Sequence, residues 1–141
     1  MIEPDYYRVW FDIIDHNKKK YGWPIPIYAE QYISAVLAYY TDKPDWQPKP
    51  NWAETLLQLQ TAQAAKILGD QALFAAAVFP DMLSNKGINE QYFHSIGKTS
   101  YYRAAQINAE LFNTLSHHFS YLAQCMQQCI RDNPQIPWHK Q

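Results

Sequence analysis

The sequence predicts an all-α fold, a bundle of five or six helices with a long C-terminal helix. Apolar residues recur at spacings of three and four in several segments, which is the periodicity of a helix. No segment alternates apolar and polar residues over the length of a strand. A length of 141 residues fits a single helical domain, 1–141, that can bury its own core.

The first part of the chain predicts two helices, each followed by a segment that proline keeps extended. The first helix should begin near Pro4, because proline suits the first helical position, and stop at Gly22. The second should cover residues 28–40. Residues 41–51 contain three prolines, so we expect a stiff proline-rich loop there.

The next helix should be the central one. Asn51 and Glu54 have the spacing of a capping box, which predicts a helix start, and Pro80 should end the helix and open a loop over 80–89. Residues 72–79 are apolar on every side, as in a helix that is buried all round. Gly69 within this pattern indicates a close contact or a kink.

The last part predicts a short helix and then a long one. Asn89 should cap the short helix and Gly97 should end it. From residue 101 to Cys129 the stripe of apolar residues continues unbroken if Asn108 and His118 are counted in it. About thirty residues give a helix of roughly 45 Å. Such a helix would project, kink near His118 or pack on a second copy, so we expect a homodimer, with residues 134–141 as a tail.

Composition disfavours several classes of protein. Twelve basic residues against thirteen acidic ones give a net charge of −1, so nucleic acid is a poor partner. We expect no membrane partner and a cytoplasmic location, because the sequence has neither a signal-peptide layout nor an apolar run long enough to span a bilayer. The common catalytic motifs are absent, so we predict no catalytic residue and no cofactor.

The two cysteines allow two interpretations. Cys125 and Cys129 lie one turn apart on the predicted last helix, and His118 should share their face. Thiolate and imidazole are zinc ligands, but cysteine is also an ordinary small core residue. We favour core packing and predict no metal site.

One polar cluster forms the candidate ligand-binding site. Its residues are Asp70, Tyr92, His94, Lys98, Tyr101 and Arg103. If the short helix folds back on the central one, Asp70 could pair with Lys98, with Arg103 or with a tyrosine hydroxyl, and a buried carboxylate needs such a partner. The cluster is then either a polar network that joins two helices or a small polar site at the mouth of an aromatic pocket.

The same region carries a family resemblance. It extends over Gly69-Asp70-x-Ala72-Leu73-Phe74, Phe79-Pro80 and Tyr92-Phe93-x-x-Ile96-Gly97-x-x-x-Tyr101. This series resembles a family of short uncharacterised proteobacterial proteins with the pattern GD-x-ALF, FP and YF-x-x-IG-x-x-x-Y. The resemblance implies a bacterial helical protein and brings with it no activity, cofactor or catalytic residue.

Two hypotheses about function follow. The first is a non-enzymatic regulatory or protein-interaction module that self-associates, or binds another protein, favoured by the long final helix, the interruption at Asn108 and an aromatic content of 16%. The alternative is a small-molecule-binding protein or an enzyme with a polar site formed by Asp70 and residues 92–101.

Overall fold

The computed structural model describes residues 5–49 and 51–135, and within them the chain forms eight α-helices and no strand. The all-α prediction is confirmed, and the predicted number of five or six helices is wrong. The helices are α1 (Tyr6–Tyr21), α2 (Ile27–Thr41), α3 (Trp52–Gln58), α4 (Ala62–Val78), α5 (Pro80–Asn85), α6 (Glu90–Ala104), α7 (Ala109–His117) and α8 (Phe119–Arg131).

The first two helices agree with prediction. The Asp5 side chain caps α1 by accepting a hydrogen bond from the Arg8 amide at 3.1 Å, and Gly22 ends the helix with a φ of 70°, which glycine adopts at little cost. Residues 42–49 connect α2 to the next helix without regular structure. Three predicted features, the start near Pro4, Pro50 of the loop and residues 136–141 of the tail, lie outside the described residues.

The apolar segment of α4 is the centre of the fold, as predicted. Residues 72–79 are all buried, and α4 contacts α2, α6 and α8. Gly69 marks a close contact, because a Cβ placed there would lie 2.6 Å from Cδ1 of Tyr101. The missing side chain therefore lets α6 approach α4.

The predicted helix from Asn51 to Phe79 is two helices. Asn51 precedes α3, but its side chain makes no capping hydrogen bond, and α3 ends at Gln58. The Thr61 hydroxyl then caps α4 by accepting from the Ala64 amide at 3.0 Å. Pro80 does not open a loop; it is the first residue of α5, where its missing N–H costs no hydrogen bond.

The short helix does not end at Gly97. Its start is as predicted, since the Asn89 side chain accepts from the Gln91 amide at 2.7 Å, but α6 continues to Ala104. Gly97 lies inside the helix, and a Cβ there would overlap the ring of Phe119. This glycine therefore serves helix packing instead of helix termination.

The predicted long C-terminal helix is wrong: the segment forms the end of α6, α7 and α8. Asn108 is exposed, and its side chain caps α7 by accepting from the Leu111 amide at 3.1 Å. His118 is also exposed and separates α7 from α8. The two polar residues needed to keep the stripe continuous thus lie at breaks in it, Asn108 at the start of α7 and His118 between α7 and α8.

No helix in residues 5–49 and 51–135 has both the length and the apolar character needed to cross a bilayer.

Candidate functional site

A cavity of about 450 Å³ opens between α2, α4 and the loop after α2. This volume lies in the range of ligand pockets. From α2 and the loop come Tyr32, Ala35, Val36, Tyr39, Tyr40, Lys43 and Trp46, and from α4 come Lys66, Ile67, Asp70 and Gln71. The spacings of three and four within each helix place these side chains on one face, so two helix faces form most of the wall.

Asp70 links three helices at the inner side of this cavity. Its Oδ1 accepts hydrogen bonds from the Tyr32 hydroxyl of α2 at 2.7 Å and from the Tyr101 hydroxyl of α6 at 2.8 Å. Its Oδ2 lies 3.6 Å from Nζ of Lys66, one turn earlier on α4. The carboxyl side chain is only 16% exposed, so these three contacts replace most of its hydration.

Burial dominates the protonation of this cluster. It raises the pKa of Asp70, while the two tyrosine hydrogen bonds and Lys66 act in the opposite direction. The pKa values of Tyr32 and Tyr101 are raised by burial and then by the neighbouring Asp70. Both phenols therefore stay protonated and act as donors to the carboxylate.

Aromatic rings form the wall near the loop. Tyr40 stacks on Phe74 with centroids 4.4 Å apart and an interplanar angle of 16°. Trp46 lies 4.9 Å from Tyr40 and 5.5 Å from Phe74, centroid to centroid. Since Trp46 comes from the proline-rich loop, its ring attaches that loop to the core.

Two lysines lie beside the rings. Nζ of Lys43 is 3.9 Å from the centroid of Tyr39, and Nζ of Lys66 is 5.7 Å from that of Tyr32. These are cation–π distances. The cavity therefore combines flat apolar surfaces with two ammonium groups and one carboxylate.

The structure places the predicted ligand-binding residues in different parts of the fold. It brings Asp70 and Tyr101 together, and a tyrosine hydroxyl is one of the three kinds of partner predicted for Asp70. Neither Lys98 nor Arg103 is an ion-pair partner of Asp70 within the described residues. Arg103 instead donates to the Leu56 carbonyl at 2.9 Å, and Tyr92 is 39% exposed.

His94 and Lys98 belong to a separate polar groove between α6 and α8. Nδ1 of His94 lies 2.7 Å from Oγ of Ser120, and its Nε2 lies 3.8 Å from a carboxylate oxygen of Glu90. Burial lowers the pKa of His94, the positive charge of Lys98 adds to this effect, and Glu90 opposes it. The neutral imidazole thus forms a hydrogen bond that joins the two helices.

Of the three residues predicted to share one helix face, Cys125, Cys129 and His118, the structure keeps only the two cysteines together. Cys125 and Cys129 are buried free thiols, as core packing predicts, whereas His118 is exposed and does not share their face. Burial raises the pKa of Cys125 to about 11 and that of Cys129 to about 12. Across residues 5–49 and 51–135, no group of three histidine, cysteine or acidic side chains is arranged to hold a metal ion.

Sequence reasoning missed most of the cavity wall, including Tyr32, Tyr39, Lys43, Trp46 and Lys66. The i,i+4 spacing of Lys66 and Asp70 was a usable signal. Tyr32 and Tyr39, two turns apart on α2, also indicate one face. The pairing of α2 with α4 was not readable, because it depends on contacts between residues far apart in the chain.

Comparison with family models, with curated proteins and with solved structures gives no match for this chain. The resemblance to short proteobacterial proteins accordingly stays a prediction.

Proposed function

We propose that this protein is a non-enzymatic small-molecule-binding domain whose site is the cavity between α2 and α4. The observation that carries the proposal is the lining of this cavity, in which tyrosine and tryptophan rings surround a few charged groups. Ligand sites in proteins have this composition, since apolar walls supply affinity and a few polar groups fix orientation. We expect a planar ligand, because flat rings offer flat contact surfaces.

The Asp70 network supports the proposal by making the site rigid. Its hydrogen bonds hold α2, α4 and α6 together next to the cavity. A site held in advance loses less entropy when the ligand binds. The same network is also what a purely structural link between helices would look like. The decisive test must therefore fill the cavity and leave the network intact.

Ala35→Trp provides that test. Ala35 lines the cavity and is exposed, so a larger side chain there fills the opening without entering the core. The probe is indole, a neutral planar molecule, followed by chemical-shift titration of the backbone amides. We expect saturable shifts around Tyr32, Lys66 and Asp70 in the wild type, and their loss in Ala35→Trp.

The control is Ala109→Trp, the same substitution at an exposed helical position outside the cavity. It should bind indole like the wild type. The proposal fails if Ala35→Trp binds as well as Ala109→Trp. It also fails if the wild type gives no saturable shift at roughly 5 mM with indole or with indole derivatives that carry a carboxylate, an amide or an ammonium group, since a Kd of about 1 mM would leave most sites occupied.

Self-association remains a second proposal, now carried by exposed apolar side chains. The hydrogen bond from Arg103 to the Leu56 carbonyl joins α6 to the end of α3. Leu57 and Tyr102, their sequence neighbours, are 83% and 67% exposed. Sedimentation equilibrium should show a dimer that Leu57→Lys weakens, and a wild-type monomer at high concentration would contradict it.

We also propose a cytoplasmic location. Its support is that the structure keeps Cys125 and Cys129 as free thiols, which a reducing compartment preserves. Fractionation of the source cells tests it, and recovery outside the cytoplasm would contradict it.

A further inference from the structure

The charges of the cavity are unequal. Two ammonium groups, Lys43 and Lys66, face one carboxylate, Asp70. Asp70 is already engaged, because Oδ1 accepts two tyrosine hydrogen bonds and Oδ2 faces Lys66. The carboxylate and Lys66 therefore compensate each other, and one positive charge remains.

That remaining charge is on Lys43. Among the residues that the structure describes, no carboxylate lies within ion-pair distance of its Nζ. The ammonium group is held instead over the Tyr39 ring at 3.9 Å. This contact places a cation that has no ion-pair partner among the described residues beside the flat surfaces on which a ligand would lie.

A cationic ligand fits this arrangement poorly. Aromatic rings attract cations, but the chain's own ammonium groups already lie over Tyr39 and Tyr32. An added cation would meet like charges from both lysines. An anion would instead complete the ion pair that Lys43 lacks.

The cavity offers little support for a ligand that carries more than one negative charge. The cavity lining contains no arginine, and its residues come from the middle and end of α2 and the middle of α4, not from a helix N-terminus. Phosphate groups in proteins commonly rely on such donors. One uncompensated ammonium matches a single negative charge.

From these observations we infer that the ligand is a planar aromatic carboxylate, whose ring lies against Tyr39, Tyr40 and Trp46 and whose carboxylate pairs with Lys43. The inference rests on the proposed function and specifies its ligand class. Tyr32 and Asp70 then form the inner wall, and Lys66 adds a second favourable charge.

Three probes that share one ring test the charge preference. Indole-3-acetate carries a carboxylate, indole-3-acetamide is its neutral analogue, and tryptamine carries an ammonium group. Chemical-shift titration of the wild type should give indole-3-acetate an affinity about three- to fivefold higher than that of the amide, as an ion pair with an exposed lysine predicts. Tryptamine should bind most weakly.

Lys43→Met removes the charge and keeps most of the side-chain length. It should lower the affinity for indole-3-acetate to that for the amide and leave the amide unchanged. Lys86→Met, a change at an exposed lysine outside the cavity, should alter neither value. Equal affinities for the three probes, tightest binding of tryptamine, or an unaffected Lys43→Met variant would overturn the inference and leave the proposed function standing. No binding of any probe would overturn both.

Discussion

Asp70 connects the acid–base chemistry of one side chain to the arrangement of three helices. Its hydrogen-bond partners come from α2 and α6, and its charged partner comes from its own helix. Because the carboxyl group is mostly removed from water, its proton is held more tightly in the folded state. This difference between folded and unfolded states makes stability depend on pH.

The sign of that dependence is predictable. The pKa of Asp70 is raised above its ordinary value of 3.8, so from about that pH upward the folded state holds more proton than the unfolded state. The free energy of unfolding that Asp70 contributes therefore falls as pH rises through this range, up to the raised pKa. Asp70→Asn does not titrate and should lack this slope. Urea unfolding at a series of pH values above 3.8 measures it.

Comparison of the wild type with Asp70→Asn isolates the contribution of Asp70 to the pH dependence of stability. Burial also raises the pKa of Glu30, but Glu30 is present in both, so its contribution cancels. Effects of Asp70→Asn that do not depend on the protonation of Asp70 shift the whole curve by a constant amount and leave its slope unchanged. Parallel curves for wild type and variant would contradict the prediction.

At the scale of a helix, the break before α7 can be tested by the sign of a single substitution. Asn108 caps α7, so Asn108→Ala should lower the free energy of unfolding by about 1 kcal/mol. In one continuous helix the same change would raise stability, because alanine has the higher helix propensity. Asn113→Ala, inside α7, is the control and should be neutral or slightly stabilising. Stabilisation by Asn108→Ala in urea unfolding would support a continuous helix.

The crossing of α6 and α8 depends on a missing side chain. A Cβ at Gly97 would overlap the ring of Phe119, which is itself fully buried. Gly97→Ala should therefore destabilise by roughly 1–3 kcal/mol, as overpacked cores do, despite the better helix propensity of alanine. Urea unfolding measures the loss. In a Phe119→Leu background Gly97→Ala should cost less than it does in the wild type, because the smaller side chain relieves the overlap. An equal cost in both backgrounds would place the cause elsewhere.

Local signals predicted the helices, and their errors have a physical pattern. Asn89 and Gly22 were interpreted correctly, because caps and left-handed turns depend on neighbouring residues. The prediction that Gly97 ends a helix was wrong, because a glycine inside a helix and a glycine after one look alike in sequence until the residue packed against it is known.

The candidate site shows the same limit. Asp70 and a tyrosine partner were predictable because a buried carboxylate needs a donor. The contact of Tyr32 with Asp70 was not predictable, because it depends on how α2 packs against α4.

For the molecule as a whole, the two cysteines report on cooperative unfolding. They lie on α8, which contacts α1, α4, α6 and α7, so exposing them requires separating most of the bundle. Their exposed fractions are 4% for Cys125 and 0% for Cys129. Burial also keeps both thiols protonated, and the thiolate is the reactive form.

Alkylation of these thiols should therefore follow global unfolding. With a pKa of about 11, Cys125 is thiolate in only about one molecule in a thousand at pH 8, and Cys129, with a pKa of about 12, in fewer. We expect iodoacetamide to leave the native protein unmodified and to label both cysteines in parallel as urea is added. The urea concentration at half-maximal labelling should equal the unfolding midpoint measured by circular dichroism. Mass spectrometry of each peptide measures this. Labelling of Cys125 well before that midpoint would mean that α8 opens separately from the rest of the bundle.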